Sequence, residues 1–152
     1  MFNFEKLGSY KENNQLEVKK AAGGLPNSIW ETYSAFANTD GGTILLGVEE
    51  KSDKSLNIVG LISPEKIISD FWNSINNRNK VNINILTNSN VQILNADNKN
   101  VVAISIPRAS RAERPVYIDN NLDSTFRRNG EGDYRCQKEE ILSMLRDNAI
   151  KT

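Results

Sequence analysis

The sequence has no histidine among its 152 residues and a single cysteine, Cys136. The lack of histidine excludes Ser-His-Asp and Cys-His catalysis, histidine-ligated zinc and histidine pH switches. A lone cysteine excludes an internal disulfide, which favours a reducing compartment. Any bound metal would therefore have oxygen ligands, as Mg²⁺, Mn²⁺ and Ca²⁺ do. Acid–base chemistry would fall to carboxylates, lysine, tyrosine or water.

The sequence also lacks a long apolar run and a net charge. No stretch approaches the roughly 18 apolar residues of a membrane span, and the first residues do not follow a signal-peptide pattern. These features predict a cytoplasmic protein with no membrane partner. Lys plus Arg and Asp plus Glu are 19 each, so a basic site for nucleic acid would have to come from local clustering.

The hydrophobic pattern predicts one mixed α/β domain spanning residues 1–152. Residues 16–19 alternate like a half-buried strand, and the apolar positions of 29–37 recur with helical spacing. Residues 38–42 form a turn, in which a glycine pair lets the helix pack on the sheet, and the run 43–48 predicts a strand covered on both faces. Further strands are expected at 58–61, 81–86, 91–94, 101–106, 115–118 and 124–128, and further helices from 64 to 75 and from 137 to 147. The expected architecture is a mixed sheet of about six strands packed by three helices.

Several carboxylates are candidates for chemistry. Glu17 and Lys19 lie two apart on the first predicted strand and so share a face. Beside a divalent cation, such a pair can activate water and stabilise a phosphate. Glu12 precedes this strand, and Glu49 and Glu50 end the central strand, so an oxygen-only metal site is one interpretation. A surface salt bridge between Glu17 and Lys19 is the other.

The arginines are clustered in sequence, since six of the eight lie between positions 108 and 135. Arginine forms bidentate bonds to phosphate, so the cluster favours a surface that binds a nucleic-acid backbone. The same segment holds five acidic residues and has a net charge of only +1, which indicates that some of these arginines form structural ion pairs. The six are Arg108, Arg111, Arg114, Arg127, Arg128 and Arg135.

The motifs taken together resemble a known family. They comprise the Glu-x-Lys strand at 16–19, the run Ala35-Phe36-Ala37-Asn38-Thr39-Asp40-Gly41-Gly42, the strand 44–50, and the later segments 58–61, 114–118 and 126–130. Their order and spacing resemble the Schlafen/AlbA-like DNA-binding domain family over about residues 10–147. The resemblance implies a module that binds DNA or RNA, often at the N-terminus of a longer bacterial protein.

A narrower implication comes from Schlafen members that cleave tRNA and rRNA with three acidic residues. Glu12 and Glu17 match the five-residue spacing of the first two acids, and Glu49 or Glu50 occupies the third place, where Asp is typical. By this resemblance Glu12, Glu17 and Glu50 would hold Mg²⁺ or Mn²⁺, and Lys19 would stabilise the phosphate. Arg127 and Arg128 would grip the backbone. Such nucleases place two lobes around RNA, so an equivalent groove here would need a homodimer.

Three functions stay open at this point. The first is a non-catalytic nucleic-acid-binding module, with regulation as one role for it, that uses Arg108, Arg111, Arg114, Arg127 and Arg128. The second is a Mg²⁺- or Mn²⁺-dependent endoribonuclease. The third is an assembly domain in which the arginines form ion pairs and strand edges make a dimer.

Overall fold

The structure, a computed structural model, describes residues 12–150. No helix in this range is long and apolar enough to cross a bilayer. The elements are β1 (Leu16–Lys19), α1 (Ile29–Asn38), β2 (Gly42–Leu46), β3 (Val48–Glu50), β4 (Leu56–Ile58), α2 (Pro64–Ile75), a 3₁₀ turn (Asn88–Asn90), β5 (Val91–Ala96), β6 (Lys99–Ile106), β7 (Phe126–Asn129), β8 (Gly132–Arg135) and α3 (Lys138–Ala149).

The main sheet has four strands in the order β1-β2-β6-β5. β1 pairs with β2 in parallel, while β6 is antiparallel to both β2 and β5. β3 with β4, and β7 with β8, form separate two-stranded antiparallel sheets. The predicted mixed α+β class with three helices is confirmed, and the strands are divided among three sheets rather than joined in one.

The prediction of regular strands at 81–86 and 115–118 is wrong. Of these segments only Val81 and Tyr117-Ile118 make isolated bridges. Side chains bind part of the remaining backbone. The Tyr33 hydroxyl, for example, donates to Ile83 O at 2.8 Å and accepts from the Ile85 N–H at 3.1 Å. In these extended apolar segments, side chains therefore form backbone hydrogen bonds that a neighbouring strand would otherwise form.

Both faces of β2 are buried, as its apolar run predicts. Ile44 and Leu46 join the core that packs against α1, whereas Leu45 joins a smaller cluster on the opposite face. The smaller cluster also contains Leu16 and Val18 of β1. Since side chains alternate along a strand, Glu17 and Lys19 lie on the α1 face of the sheet.

The turn between α1 and β2 is tightly packed. Gly41 has φ of +75°, and its N–H donates to Phe36 O at 2.8 Å. A Cβ at Gly41 would lie 2.7 Å from Ile106 O, and one at Gly42 would lie 2.8 Å from the Phe36 ring. The glycine pair therefore allows the helix to approach the sheet, as predicted.

Gly42→Ala is expected to lower the free energy of unfolding by about 1–3 kcal/mol, because the added methyl overlaps the buried Phe36 ring. Gly23→Ala is the matched control, since a Cβ there would meet nothing within 4 Å. Urea unfolding followed by tryptophan fluorescence measures both. Equal stabilities of the two variants would contradict this account of the turn.

Candidate functional site

The Glu17–Lys19 pair forms as the sequence predicts. Lys19 Nζ lies 3.8 Å from Glu17 Oε2, and both side chains are largely buried. Lys19 Nζ also donates to Ser28 Oγ, just before α1, at 3.0 Å. The pair therefore lies between the edge strand and the first helix, and is not a freely exposed surface salt bridge.

Arg128 of β7 binds the other oxygen of Glu17 from within the protein. Its side chain is 0% exposed, and Nη1 lies 2.9 Å from Glu17 Oε1 and 2.7 Å from Asp133 Oδ1. Nη2 donates to Asn13 O and Leu16 O, and Nε donates to Asn13 O. The guanidinium also lies over the Phe36 ring, 4.9 Å from its centroid. All of its nitrogens are thus bound within the fold.

Phosphate contact by Arg128 stays a prediction, and this geometry does not support it. A fully buried guanidinium paired with two carboxylates has no surface to offer a nucleic-acid backbone. It instead compensates the charges of Glu17 and Asp133, whose burial would otherwise be costly.

Glu12 lies at the free side of β1, close to the other two predicted acids. Its Oε1 accepts a hydrogen bond from the Val18 N–H at 3.3 Å. Burial, together with the nearby charges of Glu17 and Glu50, raises the pKa of Glu12 to about 7. Burial also raises the pKa of Glu17, against the opposing effects of Lys19 and Arg128.

Glu49 and Glu50 have different surroundings. Glu49 accepts a hydrogen bond from Asn57 Nδ2 at 3.0 Å and lies 3.8 Å from Lys20 Nζ. Glu50 Oε1 lies 3.7 Å from Lys54 Nζ, while its Oε2 is buried without a hydrogen-bond partner among the described residues. Besides burial, the charge of Glu50 contributes to the raised pKa of Glu12, which favours Glu50 over Glu49 for the predicted third place. We refer to Glu12, Glu17 and Glu50 as the acid cluster.

The acid cluster does not have the geometry of a metal site. Within residues 12–150, no group of three His, Cys, Asp or Glu side chains is arranged to hold a metal ion. Arg128 occupies one oxygen of Glu17 and Lys19 faces the other. The Mg²⁺ or Mn²⁺ assignment to Glu12, Glu17 and Glu50 stays a prediction that these side-chain positions do not support.

Three predicted phosphate-binding arginines lie in the loop after β6. Arg111 Nη1 donates to Asp147 O and Ile150 O, both at 2.8 Å, at the C-terminal end of α3. Arg108 is exposed and Arg114 partly buried. Burial, then the charge of Arg108, lowers the pKa of Arg114, whereas Asp147 raises it. Arg108 and Arg114 therefore lie near each other on one surface.

Arg127 and Arg135 have local partners. Arg127 Nε lies 3.4 Å from Glu140 Oε1 and is buried without a hydrogen bond within the described chain. Arg135 Nη1 donates to Asp123 O at 3.0 Å, and its guanidinium lies over Phe126. These contacts agree with the expectation that part of the arginine cluster is structural.

Sequence reasoning missed two residues that build the site. Asp133 accepts hydrogen bonds from Arg128 and from Thr32 Oγ1, the latter at 2.7 Å. Asn38, read only as part of a turn, bonds both backbone groups of Val116 and donates to Phe126 O at 3.0 Å. The family motif around Asn38 could have predicted this role, because an amide at the end of a helix can donate to and accept from nearby backbone groups.

Comparisons with known proteins agree with this structure. The Schlafen, AlbA_2 family model matches residues 12–137, and the chain therefore belongs to that family. None of the curated proteins matches the chain.

Two solved structures share the fold. One is the solution NMR structure of the N-terminal domain of an ATP-dependent DNA helicase RecG-related protein from Nitrosomonas europaea. It has a TM-score of 0.62 and 24% identity, over 88% of this chain and 90% of that chain. The other is the crystal structure of the DIP2311 protein from Corynebacterium diphtheriae, with a TM-score of 0.59 and 16% identity. That match covers 96% of this chain and 25% of the DIP2311 chain.

Arg128→Ala is expected to lower the free energy of unfolding by about 3–5 kcal/mol, because it leaves Glu17 and Asp133 buried without their cation. Arg127→Ala, which removes the neighbouring and partly exposed guanidinium, is expected to cost less than about 1 kcal/mol. Urea unfolding measures both. If the alanine variant does not fold, Arg128→Lys, which retains the positive charge, provides a measurable unfolding transition in its place. Equal stabilities of Arg128→Ala and Arg127→Ala would contradict the structural role of Arg128.

The raised pKa of Glu12 predicts a pH-dependent stability. Between pH 4.5 and about 7 the folded state retains a proton that the unfolded state has lost. The free energy of unfolding therefore falls as pH rises through this window. Glu12→Gln should flatten that fall, while Glu65→Gln, an exposed change on α2, should leave it as in the wild type. Urea unfolding at several pH values in metal-free buffer measures the free energy of unfolding against pH. Parallel pH curves for Glu12→Gln and wild type would refute the prediction.

Proposed function

We propose that this Schlafen, AlbA_2 domain binds nucleic acid through phosphate contacts made by Arg108, Arg111 and Arg114, here called the arginine surface. The observation that carries the proposal is that burial and then the charge of Arg108 lower the pKa of Arg114, and the effect of Arg108 indicates neighbouring guanidinium groups on the loop after β6. Neither forms a salt bridge within residues 12–150, where the arginine salt bridges involve Arg127 and Arg128. Arg111 donates to the carbonyls of Asp147 and Ile150, so Arg108 and Arg114 carry most of the proposed attraction. Clustered cations that form no salt bridge attract phosphate.

The loop that carries the arginine surface is fixed by α3. Asn148 Nδ2 donates to Ala112 O at 2.6 Å and to Arg114 O at 3.0 Å. Arg111 binds the last carbonyls of the same helix, where a cation is also favoured by the helix dipole. A loop held at both its backbone and its side chain loses less conformational freedom when a ligand binds.

Family membership and the related folds support this choice. The Nitrosomonas europaea domain belongs to a protein described as related to a DNA helicase. The chain as a whole has no net charge, so binding would depend on the local surface and not on general attraction. We therefore expect contacts to the backbone, which position a strand without reading its sequence.

The test is fluorescence anisotropy with labelled single-stranded RNA, single-stranded DNA and duplex DNA over a range of salt concentrations. Binding should weaken with salt, and Arg108→Gln with Arg114→Gln should reduce the slope of log K against log salt by about 2, because two phosphate contacts are lost. Arg78→Gln, an arginine outside the cluster, is the control and should leave the slope unchanged. Salt-independent binding, or a double variant that binds like the wild type, would disprove the arginine surface.

The same labelled strands also test the endoribonuclease alternative, for which the proximity of Glu12, Glu17 and Glu50 is the supporting observation. After incubation with Mg²⁺ or Mn²⁺, products are resolved on a denaturing gel. Glu17→Gln is the informative variant, and Glu49→Gln is its control because Glu49 binds Asn57 and Lys20 instead. Cleavage lost only in Glu17→Gln would assign the reaction to this cluster, whereas cleavage that survives Glu17→Gln would exclude it.

A further inference from the structure

We propose that β5 is a self-pairing surface, through which two copies of this chain join their four-stranded sheets into one continuous eight-stranded sheet. The proposal concerns an interface and does not depend on nucleic-acid binding. It rests on the difference between the two edges of the sheet, the direction of the backbone groups of β5, and the register in which two such strands would meet.

The two edge strands of the sheet differ in how their outer backbone groups are covered. At the β1 edge, Leu16 O accepts from Arg128 Nη2, and the Val18 N–H donates to Glu12. At the β5 edge, the Val91 N–H donates to Asn88 O of the preceding 3₁₀ turn, while the outward groups of Ile93 and Asn95 make no backbone hydrogen bond within residues 12–150. β1 is therefore closed by its own protein, and β5 is open along Ile93 and Asn95.

The open edge lacks the features that usually prevent strand pairing. β5 has six residues, Val-Gln-Ile-Leu-Asn-Ala, with no charge and no proline. Its register with β6 runs without a bulge from Val91 opposite Ile104 to Ala96 opposite Lys99. Ile93 is 42% exposed. Monomeric proteins normally protect a long edge with charges, proline or bulges, so an unprotected one indicates a strand partner.

The hairpin turn determines which groups of β5 face outward. Asp97 and Asn98 both have positive φ, 53° and 61°, as in a two-residue type I′ turn. The flanking pair, Ala96 and Lys99, is then a hydrogen-bonded pair, and hydrogen-bonded pairs alternate along an antiparallel ladder. The N–H and C=O groups of Val91, Ile93 and Asn95 consequently point away from β6.

This arrangement is self-complementary. If two β5 strands pair antiparallel about a two-fold axis at Ile93, Ile93 meets Ile93 of the second copy, and Val91 meets Asn95. The outward groups of each Ile93 then pair with those of the other, and each Asn95 N–H donates to Val91 O of the second copy, while the Val91 N–H keeps its bond to Asn88 O. The two exposed isoleucines cover each other. Asp97, the acid in the turn after β5, would face the neutral Ser89 of the second copy, so no like charges of the two paired segments 89–97 oppose one another. A second copy of this chain therefore fits the edge.

Pairing at β5 would leave both β1 edges at the outer ends of the joined sheet. Seven strand spacings would separate the two copies of β1, or roughly 34 Å at about 4.8 Å per spacing. Each copy would retain its own acid cluster and arginine surface. Such a dimer would present two sites to one nucleic acid, and would not close a single site between subunits.

The first experiment measures the mass of the 17.1 kDa chain by light scattering and by sedimentation over low to high micromolar concentrations. The wild type should dimerise, and Ile93→Lys should raise the dimer dissociation constant by on the order of tenfold or more, because two ammonium groups would face each other. Ile62→Lys is the matched control, since Ile62 is 101% exposed and lies away from the sheet edge; it should dimerise like the wild type. A monomeric wild type at all concentrations, or a folded Ile93→Lys that dimerises as well as wild type, would overturn the proposal.

The second experiment uses disulfide trapping and needs no loss of stability. In a Cys136→Ser background, Ile93→Cys should form a cross-linked dimer on mild oxidation. A hydrogen-bonded antiparallel pair places its Cα atoms about 5.5 Å apart, within disulfide range. Ile62→Cys should cross-link far more slowly, although Ile62 is more exposed than Ile93, 101% against 42%. Equal rates for the two cysteines would rule out the Ile93 two-fold register.

Discussion

The buried guanidinium of Arg128 is the interaction on which the rest of the site depends. It carries a full positive charge with no exposure to solvent, so it must be balanced by carboxylates and satisfied by acceptors. Those acceptors come from Glu17 and Leu16 of β1, from Asn13 and from Asp133 of β8. One side chain therefore joins the edge strand of the main sheet to a separate hairpin. It also links both to α1, because Thr32 binds Asp133 and Thr39 Oγ1 accepts the Arg128 N–H.

This structural role changes how the acid cluster should be understood. Arg128 and Lys19 compensate Glu17, while Glu12 is left beside two acids and its pKa rises to about 7. The carboxylates of the cluster therefore have unequal environments, and the cations beside Glu17 are the side chains of Arg128 and Lys19. The arginine surface, for which we propose phosphate contacts, lies on a different loop and is held by α3. The buried Arg128 and the exposed Arg108 therefore have different surroundings, although they belong to one cluster in the sequence.

Local patterns predicted much of the fold and less of the site. Periodicity predicted α1, β2 and β6 because each buries a continuous face, and the Glu17–Lys19 pair followed from strand alternation alone. The prediction of a strand at 81–86 was wrong because the apolar residues of this segment pack without a strand partner. Its backbone bonds to the hydroxyl of Tyr33, a distant residue, and the local sequence does not reveal that contact. The burial of Arg128 could not be inferred from arginine clustering, since its partners in β1, Glu17 and Leu16, are 111 and 112 residues away along the chain. Long-range electrostatic pairing has no local signature.

The two edge strands of the sheet, β1 and β5, satisfy their outward N–H and C=O groups in different ways. A free edge must be covered by side chains, blunted by charge or paired with another strand. At β1, the covering groups are Arg128 and Glu12, so closing the edge also assembles the acid cluster. At β5 no charged side chain lies on the strand, and the type I′ turn directs the backbone groups of Ile93 and Asn95 outward, where we propose that a second copy pairs. The charges that close one edge and the absence of charge at the other thus follow from one constraint, the need to satisfy backbone hydrogen bonds at the ends of a sheet.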